Sequence, residues 1–139
     1  MTIFKRIIDG DEPCSLVYRD DSVMAFMDLH PISRGHTLVI PIEEYEDIFA
    51  TPSVLLGALI CKTKMISDAV RKAFLADGIE ILQFNGAAAG QTVFHIHFHI
   101  VPRWNGLASL QHGKAPRQER AQLDEDAYRI KTHLTKQFS

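Results

Sequence analysis

Apolar and polar positions along the chain change period several times, and each change marks an element. In MTIFKRII the side chains of Ile3, Ile7 and Ile8 share one helical face, and Gly10 suits the stop that follows. SLVYRDD and SVMAFMD alternate with period two on either side of Asp20-Asp21, which predicts a hairpin. LHPISRG reads as a turn: Pro31 disfavours helix at His30, and Gly35 permits a backbone angle closed to other residues. HTLVIPI, 36–42, is rich in β-branched residues and predicts a buried strand that ends or meets an edge at Pro41.

The middle of the chain switches to helical spacing. Thr51 predicts an N-cap with Pro52 at the first helical position. Leu55, Leu59, Met65, Ile66, Ala69, Val70 and Phe74 then form one apolar stripe, stopped near Asp77-Gly78. IEILQFN, 79–85, predicts a strand, GAAAG, 86–90, a small-residue loop, and QTVFHIHFHIVPR, 91–103, a second strand. From Trp104 the chain is polar, with a helix predicted from about Arg117 to Phe138. Strands, helix, strands and helix in that order, with mostly antiparallel pairing, give an α+β fold in one domain over 1–139.

Composition narrows the function. A formal net charge of −2 argues against a general nucleic-acid or anionic-membrane binder. Cys14 and Cys61 lie far apart, so neither a disulfide scaffold nor a cysteine zinc knuckle is expected, and a reducing compartment, the cytoplasm, is. No run of about eighteen apolar residues predicts a membrane span, and MTIFKRIIDGDEP turns acidic too early for a secretory signal.

The unusual feature is seven histidines, three of them within five residues. On an extended strand His95, His97 and His99 point to one side, about 7 Å apart, while Phe94, Ile96, Phe98 and Ile100 point to the other. The apolar set faces a core, which leaves three imidazoles in a row. A merely solvated face would be served as well by Thr, Lys or Glu. Two functional readings remain: a divalent-metal site, or an imidazole nucleophile whose neighbours set its tautomer. The preceding Asn85 to Thr92 segment favours the second. Its small residues let backbone N–H groups approach an anion, and Asn85, Gln91 and Thr92 add neutral hydrogen bonds.

His95-Ile96-His97-Phe98-His99-Ile100-Val101 resembles the His-φ-His-φ-His-φ-φ signature of the histidine-triad (HIT) superfamily of nucleotide hydrolases and transferases. Phe26-Met27-Asp28, Pro31, Gly35-His36-Thr37-Leu38-Val39-Ile40-Pro41 and Gly90-Gln91-Thr92-Val93 also resemble family segments, so the likeness runs over residues 3–103. It implies a mainly antiparallel sheet of about five strands, one long central helix and a C-terminal helix. It also implies a homodimer joined into a continuous sheet.

For the site, the resemblance implies that His97 attacks the α-phosphorus and forms a nucleotidyl-imidazole that water cleaves. His99 would contact the phosphate oxygens, with His95 behind the nucleophile and His36 supporting the hydrogen-bond array. Asn85, Gln91 and Thr92 would serve the phosphate and leaving group. Asp28 would hold the ribose hydroxyls, and Ile3, Phe4, Ile7, Phe26 and Leu29 would line the slot for the base. The implied substrate is a purine nucleoside 5′-phosphoramidate or related nucleotide, with a dinucleoside polyphosphate as the alternative and a purine-nucleotide binding module with weak turnover as another. No cofactor is expected. Relatives that begin Cys-x-x-Cys hold a zinc ion there; here those positions are Thr2 and Lys5, so that zinc is not expected. His30, His112 and His133 match nothing and are expected at the surface.

Overall fold

The computed structural model describes residues 1–108 and 110–138. Its elements are α1 (Ile3–Ile8), β1 (Leu16–Arg19), β2 (Val23–Met27), β3 (Thr37–Pro41), α2 (Ser53–Phe74), β4 (Gly78–Leu82), a short 3-10 turn (Ala87–Ala89), β5 (Phe98–Arg103) and α3 (Arg120–Phe138). The strands form one sheet in the order β1-β2-β3-β5-β4, antiparallel throughout. This is the expected α+β architecture.

Both faces of the sheet are covered, and the period-two alternation decides which residue goes where. Val23, Ala25 and Met27 of β2, Val39 of β3 and Phe98 and Ile100 of β5 enter the core shared with α2 and α3. Met24, Phe26, Leu38 and Ile40 point the other way, onto Phe4 and Ile8 of α1. Leu59, Ile66, Ala69 and Val70, from the predicted stripe of α2, are fully buried. Burying each such Leu, Ile or Val contributes about 1.5–3 kcal/mol. β1 and β4 are the sheet edges; the pairing of β1 with β2 slips between Leu16 and Tyr18, a bulge that bends this edge.

Four expectations change. The face of α1 that packs is Phe4 and Ile8, while Ile3 is 36% exposed and Ile7 half-buried. Pro52, not Thr51, occupies the N-cap of α2, because the Thr51 hydroxyl donates instead to the Asp47 carbonyl at 2.7 Å. α2 ends at Phe74, where Leu75 turns left-handed with φ 51°, before the predicted Asp77-Gly78 stop. β5 begins at Phe98, not Gln91, since the Ile96 N–H leaves the ladder and donates to the Tyr45 carbonyl at 2.8 Å. His95 and His97 therefore lie just ahead of the strand, where their rings can meet partners that a ladder would hold away.

Candidate active site

Four histidines are buried together: His36, His95, His97 and His99 are 0%, 1%, 5% and 2% exposed. Burial penalises the imidazolium. It holds His97 down to about 4, although the bond to the His95 carbonyl pulls the other way. It holds His36 down to about 3 and pushes His95 and His99 below the ordinary range as well. All four rings are thus neutral at pH 7, each with one N–H and one lone pair.

The partners say which nitrogen carries the proton. His36 Nδ1 accepts from the Ile32 backbone N–H at 3.0 Å, so its own proton is on Nε2. That N–H faces His99 Nδ1 at 3.0 Å and Asp28 Oδ2 at 3.3 Å. His99 Nδ1 is therefore an acceptor, and His99 carries its proton on Nε2, a buried atom without a protein partner. His97 Nδ1 lies 2.7 Å from the His95 carbonyl oxygen, which can only accept. Its proton is on Nδ1, and Nε2 keeps the lone pair. His95 in turn donates from Nε2 to the Pro41 carbonyl at 2.8 Å. One backbone amide, at Ile32, sets the tautomers of two rings in succession, and carbonyls set the other two.

His97 and His99 border a cavity of about 570 Å³, a volume suited to a small ligand. Ile3, Phe4, Ile7, Phe26 and Leu29 line it together with Asp28, Thr92, His97 and His99. Phe4 stands edge-on to His97 at 4.9 Å and to Phe26 at 5.4 Å, which fixes the nucleophile candidate against the apolar end. His36 and His95 sit behind the lining. The Asp28 carboxyl is pushed up by burial, while the His30 backbone N–H on Oδ1 at 2.8 Å pulls it down.

Asn85 and Gln91 do not line the cavity. Asn85 Oδ1 accepts from the Ile48 N–H at 2.8 Å, and its amide pairs with Gln83. Gln91 accepts from Gly86 N–H and donates to the Glu46 and Val93 carbonyls. The small-residue loop is also self-satisfied: Ala89, Gly90 and Gln91 N–H groups bond back to Gly86 and Ala87 carbonyls. It is a closed turn that braces the wall, with those amides turned away from any anion.

Sequence reasoning missed part of the wall. His112, expected at the surface, is half-buried between Phe84, stacked at 4.9 Å, and His99, edge-on at 5.0 Å. Arg117, Arg120 and Cys14 line the same cavity. No local period marks these positions: His112, Arg117 and Arg120 return to the wall from after β5, and Cys14 reaches it from the loop ahead of β1. His30 is exposed, His133 half-buried, and Cys61 exposed on α2. Thr2 caps α1, accepting from the Lys5 N–H at 3.1 Å, and Lys5 pairs with Asp9 at 3.2 Å; neither offers a thiolate to zinc. Asp28, His36 and His99 have ligand atoms within 4.8 Å of one another and are the described residues placed to take a cation. Their proton-sharing contacts account for that spacing without one.

The neutral rings give an expected pH dependence of stability. In the unfolded chain each histidine takes a proton near its ordinary value of about 6.5, while the folded rings resist it. Stability is therefore highest above pH 6.5 and falls toward pH 4, by up to about 1.4 kcal/mol per pH unit for each ring. Asp28, raised when folded, works in the opposite sense at the acid end. Urea midpoints measured from pH 8 to 4 check this; a midpoint unchanged between pH 7 and 5 would count against neutral buried rings.

The chain matches the HIT domain over residues 9–106. It is 43% identical over 121 residues to a HIT-like protein of Saccharolobus solfataricus, covering 87% of each chain. It is 38% identical over 128 residues to the adenylylsulfatase HINT3 of Arabidopsis thaliana, covering 92% of this chain and 64% of that one. Among solved structures, a Hit-like protein from Bartonella henselae superposes with a TM-score of 0.90 at 40% identity, covering 95% of both chains. A zinc-bound histidine-triad protein from Mycobacterium smegmatis gives 0.84 at 34% identity, covering 98% of this chain and 94% of that one.

Proposed function

The chain belongs to the HIT family, and on that premise we propose that it is a nucleotidyl hydrolase with His97 as its nucleophile. The observation that carries this reading is the His97 tautomer. Nδ1 is held by the His95 carbonyl, so the Nε2 lone pair is the free one, next to a buried His99 N–H with no protein acceptor. The lone pair attacks the α-phosphorus of a purine nucleoside 5′-phosphate, and the bond to the leaving group breaks. Water then attacks the same phosphorus, the P–Nε2 bond breaks, and the nucleoside monophosphate is released. Splitting the displacement in two is the usual gain of covalent catalysis.

His99 Nε2–H donates to the phosphoryl oxygen, and Thr92 lies toward the leaving group. Asp28 receives the ribose hydroxyls, and the slot around Phe4 and Phe26 receives the base. Asn85 and Gln91 act indirectly, by holding the wall. Nucleoside 5′-phosphoramidates are the first substrate class. The Arabidopsis relative is an adenylylsulfatase, which supports adding adenylyl sulfate to the same set, and dinucleoside polyphosphates complete it. The test is turnover of these three by the wild-type chain and by His97→Ala; a wild type that binds AMP but cleaves none of them would make the protein a binding module.

The same reading makes the protein a homodimer joined edge to edge through β4. β4 pairs with β5 on one side only, and Ile81 on it is 41% exposed. Ile81→Lys is expected to halve the mass found by sedimentation equilibrium; a wild type that already sediments as a monomer would end this assignment. No helix among the described residues is long and apolar enough to cross a membrane. Two unpaired thiols fit action in the cytoplasm.

A further inference from the structure

The apolar slot of the cavity cannot by itself tell one purine from another. Phe4, Ile7 and Phe26 offer carbon to the faces of a ring, and adenine and guanine have nearly the same faces. Discrimination needs hydrogen-bonding groups at the ring edge, where the two bases differ.

Arg120, the first residue of α3, supplies such groups beside the slot. It lines the same cavity as Phe4 and Phe26. Cys14 also lines that cavity and packs against the apolar cluster of Phe4, Phe26 and Leu38. The next residue, Ser15, is buried, and its hydroxyl accepts from Arg120 Nη1 at 2.9 Å. That hydroxyl gives its own proton to Asp124 Oδ1 at 2.6 Å, so only its lone pairs face the guanidinium. The Cys14 thiol registers the same neighbour: burial pushes it up, and the Arg120 charge is the strongest pull the other way.

The bond to Ser15 occupies Nη1 and leaves the side-on pair, Nε and Nη2. Among the described residues neither of these nitrogens has a hydrogen bond, and the guanidinium has no ion pair. Their two N–H groups run parallel and form the fork that grips two neighbouring acceptors at once. A 6-oxopurine carries such a pair, O6 and N7. Adenine has an amino donor where O6 would stand, so it meets the fork with one acceptor and one opposed donor.

We propose that Arg120, oriented by Ser15 and Asp124, selects a 6-oxopurine, guanine or hypoxanthine, in the base slot by donating from Nε and Nη2 to O6 and N7. The assignment rests on the nucleotidyl-hydrolase reading for the seat of the base, but its first test needs no turnover. Calorimetry on the wild-type full chain compares AMP, GMP, IMP and 7-deaza-GMP, in which carbon replaces N7. GMP and IMP should bind about tenfold or more tighter than AMP. 7-Deaza-GMP, tested on the same unaltered protein, should lose most of that advantage. Arg120→Ala should bring AMP, GMP and IMP to equal affinity by weakening the latter two.

Equal wild-type affinities for AMP, GMP and IMP would overturn the selection. So would a preference for GMP that IMP does not share, since the 2-amino group would then be the feature read. 7-Deaza-GMP binding as tightly as GMP, or a preference that survives Arg120→Ala, would also overturn it. In turnover, kcat/KM for guanosine 5′-phosphoramidate should exceed that for the adenosine compound about tenfold. A wild type that cleaves both equally well would overturn the selection and leave the hydrolase reading standing. One that cleaves neither yet keeps the binding preference would overturn the hydrolase reading and leave the selection standing.

Discussion

His97→Ala is expected to lower kcat for adenosine 5′-phosphoramidate by about ten-thousandfold or more, about 5.5 kcal/mol of barrier, while AMP still binds. No neighbour can take over the attack. His95 holds its N–H on the Pro41 carbonyl, and its lone pair lies on the buried Nδ1 behind the cavity lining. The His99 lone pair, on Nδ1, is occupied by the His36 N–H, so that ring offers the cavity only a donor. On the proposed reading the nucleotide keeps the slot around Phe4 and Phe26, the Asp28 carboxylate and the His99 N–H. Steady-state rates and calorimetric AMP affinity together decide the matter. Turnover above about a hundredth of wild type would remove His97 from the nucleophile role, and loss of AMP binding in step with turnover would reassign it to binding.

Gly35→Ala carries the largest expected effect on stability. Gly35 has φ +94°, and a Cβ there would stand 2.7 and 2.8 Å from two Phe74 ring atoms and 3.3 Å from Pro102. A non-glycine residue at such an angle costs about 1–3 kcal/mol, and the overpacking adds about 1–3 more. The sum, roughly 2–6 kcal/mol, is a large part of the 5–15 kcal/mol typical of a whole domain. Gly10, at φ +84° with nothing within 4 Å of a built Cβ, isolates the backbone contribution. Urea denaturation of Gly35→Ala, Gly10→Ala and Gly35→Ala with Phe74→Leu resolves the two parts. The double variant should recover the packing share, and a Gly35→Ala loss no greater than that of Gly10→Ala would mean that Phe74 yields freely.

Why Gly35 matters was only half legible from sequence. Its turn conformation follows from LHPISRG, but its closeness to Phe74 is a meeting of residues 39 apart in sequence. The same division runs through the fold. The α2 stripe and the faces of β2 and β3 follow from local period, because burial on one side selects side chains at a fixed spacing. The start of β5 does not. Alternation continues through His95 and Ile96, but the backbone there is captured by the Tyr45 carbonyl, which pattern does not register.

For the site, residue type and spacing were enough to gather His95, His97 and His99, and the family resemblance added His36. They were not enough for Asn85 and Gln91, whose amides could serve a ligand or the chain equally well until Ile48, Gly86 and Glu46 are seen beside them. His112 was invisible for another reason. A single histidine in a polar stretch has no period to reveal it, and only the return of the chain over Phe84 gives it a place.

The slip in register on β1 has a meaning beyond that strand. A sheet with two straight open edges is a template for unlimited addition, chain upon chain. Here the β1 edge is kinked between Leu16 and Tyr18, and Arg19, exposed, closes the strand with a charge. Only the β4 side presents regular backbone to another molecule. Two copies paired at β4 would leave only kinked β1 edges outside, so addition through that edge would stop at a pair and not run on as a fibre. The bulge acts as a built-in terminator against polymerisation, at the opposite end of the sheet from where association would begin.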